Sequence, residues 1–411
     1  MNILIAVDSF KGTLTSIQAA EIIEKVFRVH KHNVQSVPIA DGGEGTIDSI
    51  FYNLGGKKKF VQVSNPIGKK IKTYYILKND IAYLEFAKTS GIMLLKKTEL
   101  DPLKTSSYGF GELLNSVIEN NIKEIVIGLG GSATNDAGIG MLSALGVKFY
   151  DKNGNEIKNL NKCGGEILEK IYDFDTTNLN PLIKNVNINI LCDVKNPLYG
   201  KDGTSKIYSP QKGADASCVI RLEKGVVNFA RIMEKKFKTN VNFEGAGAAG
   251  GMGAALKIFL NANIVQGIKG IIKLFDIENK IIESDLVITG EGAMDIQTTF
   301  GKAPVGIAEL AKKHNKKVVA ICGKTGKNAK ELFNHGIDFI FSCYGDVALS
   351  ADFLKRNAKK NLTEASKLAA DKINDYEKTK NRIYIVNETQ NFRDSPNTGK
   401  RHKNASNSLR S

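Results

Sequence analysis

The sequence predicts an α/β protein of two domains, a discontinuous Rossmann-like domain with a parallel sheet and a second α/β domain inserted into it. Three observations carry this. Apolar runs of strand length alternate with amphipathic helical segments near both ends of the chain, which is the grammar of a parallel sheet. In the middle, IKTYYIL and IAYLEFA flank Asn79 and Asp80 as two alternating runs, which predicts a hairpin rather than a crossover. The late strands need partners, and completing the N-terminal sheet supplies them. At 411 residues the chain suits two domains of roughly 100 to 200 residues each. The expected division is residues 1–71 and 285–378 for the discontinuous domain, 72–284 for the insert, and 379–411 for a disordered basic tail; two sequential domains are the alternative.

NILIAVD reads as a buried strand, followed by a helix over TLTSIQAAEIIEKVF with Ile17, Ala20, Ile22, Ile23, Val26 and Phe27 on one broad face. Thr15 with Gln18 three residues later predicts a capping box. VQSVPIA is expected as the second strand, TIDSIFYNL as a helix, and FVQVSN as the third strand of the same sheet. After the insert come the strand DLVITG, a helix from about Ala303 to His314, the strands KVVAICG and FIFSCY, and a long helix ending near Lys378.

The formal net charge is +15, and from Lys378 onward eight Lys or Arg stand against two Asp or Glu, so the tail holds +6 of it. The remainder is scattered along helices such as AELAKKHNKK, the pattern of a solvated face rather than a nucleic-acid surface. Five widely spaced cysteines without a CxxC pair argue against disulfides or zinc and suit a reducing compartment. The first residues, MNILIAVDSF, have no basic leader, and no apolar run reaches the roughly 18 residues of a membrane span. A cytoplasmic protein is expected, with neither nucleic-acid nor membrane partners. The oligomeric state is not legible.

GLGGSATNDAGIGM, from Gly128 to Met141, follows a strand and leads toward a helix expected to begin near Asp136. Gly130 and Gly131 permit unusual backbone angles, and Ser132, Thr134 and Asn135 are donors or caps. A helix start of this form binds anions, but the dipole contributes only about 0.3 to 2 kcal/mol. By itself the motif is as well read as a plain turn. Similar loops recur where strands should end: SFKGTLTS with Lys11, ADGGEGT with Asp41 and Glu44, and TGEGAMD with Gly290, Gly292, Glu291 and Asp295, with Lys302 close behind. GAGAAGGMGAAL, Gly245 to Leu256, is either another such loop or a close helix contact. Ligands of open α/β sheets bind beyond the carboxyl ends of strands. Carboxylates suit Mg²⁺ held with substrate phosphates, and lysines neutralise phosphate, so these loops point to phosphoryl transfer. Asp8 and Asp193 are the candidate bases, while His30, His32, His314 and His335 lack any metal or triad context.

Together, VDSFKGTLTS, PIADGGEGT, DPLKTSSYGFGEL, GLGGSATNDAGIGMLSALG, CDVKNPLYG, SPQKGA, GAGAAGGMGAAL and VITGEGAMDIQTTFGKAP resemble, in this order, the bacterial type of the glycerate kinase family, which includes the glycerate 2-kinases. The resemblance implies transfer of the γ-phosphate of ATP to D-glycerate with Mg²⁺, in a cleft between two α/β domains. By position its motifs fall on Asp8 and Lys11, Asp41 to Gly45, Gly130 to Asp136, Asp193, and Gly290 to Asp295. On our inference Asp8, Lys11 and Asp193 are catalytic, and Gly130, Gly131, Ser132, Thr134, Asn135, Gly290, Gly292 and Lys302 bind nucleotide phosphates. Asp41, Glu44, Asp136, Glu291 and Asp295 are the substrate or metal candidates. Val7 replaces a usual proline, and Ala293 replaces a longer, often basic residue, which is expected to weaken a phosphate contact. The rival expectations are a silent metabolite-binding protein of the same fold, a kinase for another hydroxy acid, and a nucleic-acid binder acting through the basic tail.

Overall fold

A computed structural model describes residues 1–379 except 121, 300, 301, 346 and 348. The basic tail expected from residue 379 therefore lies, from residue 380 on, outside the described residues.

Five parallel strands form the first sheet, in the spatial order Phe339–Ser342, Lys317–Cys322, Leu286–Gly290, Asn2–Val7, Asn33–Ser36. Both faces are covered, which is why its inner strands read as near-continuous apolar runs. On one face Ile3, Ile5 and Val7 pack against Ile23 and Phe27 of the helix Ser16–Val29 and Leu362 and Ala369 of the helix Ala351–Thr379. On the other, Leu4, Ala6 and Val287 pack against Ile268, Ile277 and Ile307, from the helices Gly267–Leu274, Ile277–Glu283 and Ala303–Lys313. The capping box of the first helix is present: Gln18 N donates to Thr15 Oγ1 and Thr15 N to Gln18 Oε1, both at 3.1 Å.

The second sheet has six strands, in the order Asn263–Val265, Asn187–Leu191, Glu124–Gly128, Ile81–Glu85, Lys70–Lys78, Lys57–Ser64. The first four are parallel, and the last two are antiparallel additions. The expected hairpin around Asn79 and Asp80 is present, with Ile76 opposite Tyr83. One face carries a core of its own, in which Phe110, Phe149, Phe229 and Leu256 take part. The opposite face shares its core with the first sheet, since Ile76, Tyr83, Val126 and Leu191 lie in the same apolar cluster as Leu4 and Val287.

Two placements differ from expectation. FVQVSN does not continue the first sheet: Lys57–Ser64 pairs antiparallel with Lys70–Lys78 in the second. Asn65 decides this, because its side chain accepts the N–H groups of Ile67 and Lys69 and closes a turn far too short for a parallel crossover. Within the segment 267–283, expected in the insert, the helix Ile277–Glu283 contacts the strand Asn2–Val7 of the first sheet while the helix Gly267–Leu274 contacts Asn187–Leu191 of the second, and Ile268, Ile271, Ile277 and Ile281 are buried in the apolar cluster the two sheets share.

Candidate functional site

The strand Asn2–Val7 runs directly into Asp8, and its neighbour Leu286–Gly290 runs into Glu291. Val7 is in register with Gly290, and Asp8 N donates to Gly290 O at 2.9 Å, so the two acidic residues leave the sheet side by side. The chain winds outward in opposite directions from this pair of strands, which makes their carboxyl ends the crevice where open α/β sheets bind ligands. A pocket of about 440 Å³ opens there, lined by Asp8, Lys11, Asp41, Glu291, Lys302 and Lys324. Gly292 and Ala293 also face it. The volume suits a small-molecule site.

The acidic residues are poorly compensated. Asp8 is buried, and loss of solvent together with the charges of Asp41 and Glu291 pushes its carboxyl well above the usual range, against the opposing Ser9 N–H, which donates at 2.5 Å, and Lys11. Burial also raises Glu291, although Lys302 at 3.5 Å and the Thr298 hydroxyl at 2.8 Å hold it back. Asp193 stands across from this group at the end of the second-sheet strand Asn187–Leu191. Burial first and Asp41 second push Asp193 up to about 7, with the N–H groups of Ile268 and Gly267 opposing. Its Oδ1 takes the Ile268 N–H at 3.4 Å, at the start of the helix Gly267–Leu274, while its buried Oδ2 has no hydrogen-bond partner among the described residues. Asp41 links the two sheets: its Oδ1 accepts from Gly43 N at 3.0 Å, and the Gly42–Gly43 turn rests on the strand ends of the second sheet. A Cβ at Gly130 would come within 2.6 Å of Gly43 Cα, so glycine at 130 is required by this loop-on-loop contact.

The loop from Gly130 to Asp136 does not behave as expected. Its helix begins only at Ile139 and runs six residues to Ala144. Asp136 is fully buried, and its Oδ2 accepts from Ser107 N, Ser107 Oγ and Gly140 N, its Oδ1 from Gly138 N. The anion that this helix start can bind is therefore the protein's own carboxylate, and Asp136 is a structural residue, not a metal or substrate ligand. Thr134 and Asn135 are buried as well, with the Asn135 amide donating to Ser205 Oγ at 3.1 Å and Thr134 O accepting from Lys212 Nζ at 2.6 Å. Ser132 is buried and bridged to Gly91, which leaves Gly130 and Gly131 as the accessible tip of the loop. GAGAAGGMGAAL proves to be a close contact: Gly250 O accepts from Ala137 N, and a Cβ at Gly250 would meet Thr134 O at 2.1 Å.

Asp193, Gly130 and Gly131 do not line this pocket, and neither do three further candidates. Glu44 is exposed, and the Asp295 carboxylate caps the short turn Ile296–Thr299 by accepting from Gln297 N. Gly290 is buried within the sheet as the partner of Val7, not presented to a ligand. His314 and His335 pair with Glu278 and Glu309 on the surface, and His30 lies beside Asn374 and Asp371.

Sequence reasoning missed two lysines and one acid that the fold makes prominent. Lys324 lines the pocket and sits opposite Ala293 in a two-residue strand pair. Its signal was available, since KVVAICGK places a lysine just past a strand end. Lys212, from SPQKGA, is buried, and loss of solvent pulls its ammonium down to about 7 against the attraction of Asp136. Glu85 is buried at the end of Ile81–Glu85 and accepts from Gly45 N and Ile47 N, tying the helix that follows the Asp41 loop to the second sheet.

Paired carboxylates, three lysines and a crevice at the carboxyl ends of a doubly wound sheet define the equipment of a small-molecule phosphotransferase. The chain belongs to the glycerate kinase family, whose profile matches residues 3–374. It is 41% identical over 345 residues to a glycerate kinase of Halalkalibacterium halodurans, covering 83% of this chain and 90% of that one. It is 40% identical over 372 residues to a glycerate 2-kinase of Escherichia coli, covering 89% and 96%. A crystal structure described as that of a glycerate kinase 2 from Salmonella typhimurium superposes with a TM-score of 0.77 at 36% identity, over 92% of this chain and 99% of the other. No helix among the described residues is long and apolar enough to cross a membrane.

Proposed function

We propose that this protein transfers the γ-phosphoryl group of ATP to a hydroxyl of D-glycerate, giving phosphoglycerate and ADP. The observation that carries the reading is the pocket in which Asp8, Asp41 and Glu291 face Lys11, Lys302 and Lys324, in a chain of the glycerate kinase family. The 2-hydroxyl is the favoured acceptor, supported by the name of the Escherichia coli relative. The five free cysteines suit a reducing, cytoplasmic setting.

The lysines hold the polyphosphate: Lys302 lies beside Glu291, and Lys11 and Lys324 reach the same pocket from neighbouring loops. Glycerate sits toward Asp193 and the accessible glycines 130 and 131. Asp193 takes the proton of the attacking hydroxyl on Oδ2 as the oxygen bonds to the γ-phosphorus and the bond to the β-phosphate oxygen breaks. A carboxylate raised to about 7 is a better base at neutral pH than an ordinary one. Asp8 and Asp41 keep the phosphoryl end electrostatically poised.

Mg²⁺ fits this donor set. Among the described residues no three acidic, histidine or cysteine side chains are grouped as a metal cage. Mg²⁺ rarely needs one, since one or two carboxylates with substrate phosphates suffice. Burial first and the charges of Asp41 and Glu291 after it raise Asp8, so a cation here would relieve negative charge, and one or two of Asp8, Asp41 and Glu291 would hold it together with substrate phosphates. When bound, the ion neutralises charge on the phosphate oxygens.

The test is ³¹P NMR of the protein with ATP and D-glycerate, with and without Mg²⁺. A metal-dependent 2-phosphoglycerate signal is expected. A 3-phosphoglycerate signal keeps the kinase and changes the acceptor, and no product from folded protein sinks the reading.

A further inference from the structure

The pocket has two chemically different ends. Beyond the lysines and carboxylates it continues along an apolar wall made by Phe10, Cys343, Tyr344, Leu354 and Ala358. Phe10 belongs to the loop after the first strand. Cys343 and Tyr344 follow the edge strand Phe339–Ser342, and Leu354 and Ala358 lie on the long helix Ala351–Thr379. Val347, also in the pocket, exposes 52% of its surface. Cys343 is an uncharged surface in this wall, because burial and the neighbouring Cys322 push its thiol far above the usual range.

We infer that this apolar wall is the subsite for the nucleobase of the phosphate donor, so that the long C-terminal helix is part of the nucleotide site. The inference rests on the kinase reading above. A nucleoside triphosphate is amphipathic along its length, with a flat apolar-faced ring at one end and three phosphates at the other. The lysines accept only the phosphate end, and the apolar wall is continuous with them in one cavity of about 440 Å³, within the range of nucleotide-sized pockets. The base packs on side-chain faces from Phe10, Leu354 and Ala358, while the phosphates run toward Asp41 and Asp193, where the acceptor hydroxyl waits. The opposite orientation would bury phosphate charge against Phe10 and Leu354 and leave the lysines facing an uncharged ring, which the cost of desolvating unpaired charge forbids.

Two substitutions test this: Ala358→Phe, which fills the subsite, and Leu354→Gln, at a partly exposed position where a polar group of similar size leaves folding intact. Calorimetric titrations would compare Mg²⁺·ATP with tripolyphosphate, which carries the phosphates and no base, alongside glycerate phosphorylation by the unaltered protein. The expected result is a loss of ATP affinity of roughly tenfold or more in both variants, with tripolyphosphate affinity within about twofold of the starting protein. Equal losses for both ligands would put phosphates on this wall and overturn the assignment. Unchanged ATP affinity in the variants, with glycerate phosphorylation intact, would place the base elsewhere while leaving the kinase reading standing. Unaltered protein that neither phosphorylates glycerate nor binds ATP would remove the kinase reading and the subsite with it. Should Ala358→Phe fail to fold, judged by circular dichroism, Leu354→Gln carries the same comparison.

Discussion

Asp8 and Asp136 occupy comparable places, each in a polar loop following the last residues of a parallel strand, and the fold uses them in opposite ways. Around Asp136 the named donors turn inward: Ser107, Gly138 and Gly140 all turn their N–H groups onto the carboxylate, and Lys212 closes the back of the loop through Thr134 O, while the buried Thr134 Oγ1 and Asn135 Oδ1 have no hydrogen-bond partner among the described residues. Around Asp8, among the described residues, the Ser9 N–H and the charge of Lys11 answer a carboxylate that also feels Asp41 and Glu291, and the pocket lies open before it. The first loop is a buried strut and the second a loaded site. A run of glycines and polar residues becomes a binding site only where the tertiary structure leaves its hydrogen-bonding groups unspent.

The comparison breaks most visibly on the open side. Asp193→Asn should reduce kcat by about 10²- to 10⁴-fold, the usual worth of a positioned base, with thermal unfolding unchanged. Turnover near normal would remove Asp193 from that role and move it to Asp8. On the closed side the loss should be stability. Asp136→Ala leaves three buried N–H groups without their charged acceptor and should destabilise the protein by about 3 kcal/mol in urea unfolding, a figure typical of losing charge-assisted bonds. An Asp136→Ala protein that is fully stable but inactive would mean that the loop serves the ligand after all.

Lys212 sharpens the contrast through pH. Its folded ammonium loses its proton near 7, but in the unfolded chain only in the usual lysine range, so between these limits the unfolded state binds more protons. Stability from this residue is therefore fully present above the ordinary lysine pKa and is lost as pH falls toward 7. Lys212→Met should remove that slope, seen as urea midpoints at pH 7 and pH 9 that differ less than in the parent. Smaller effects return to the pocket. Lys302→Ala should raise KM for ATP roughly tenfold, the equivalent of one charge-assisted contact, and an unchanged ATP dependence would take Lys302 off the phosphates. Ala293→Lys should lower KM for ATP by no more than about threefold, because Lys324 already brings positive charge to the facing position. A much larger gain would show that Ala293 is a true deficit.

Much of this was legible because it is local. The capping box at Thr15 and Gln18 depends on residues three apart, and the hairpin at Asn79 and Asp80 on the alternation of two adjoining runs. The loops after the strands ending at Val7 and Gly290 were legible too, since period and punctuation locate strand ends, and that found Asp8, Lys11, Glu291 and Lys302. The placement of Lys57–Ser64 was not, because a strand's partner depends on which edge is free after the Asn65 turn folds. Asp136 was misassigned because its spacing in the chain matches an exposed helix start, while the groups that bury it come from Ser107 and from Gly250 of a distant loop.

The sequence alone thus determined the alternation of strands and helices, the positions of the strand-end loops and the kind of chemistry their side chains carry, since each follows from residues close together in the chain. Which loops face a common pocket, which carboxylates keep an unspent oxygen, and that the helix Ala351–Thr379 lines the pocket were decided only by tertiary packing. Desolvation and hydrogen-bond competition act between residues hundreds of positions apart, and no local pattern records how that competition ends.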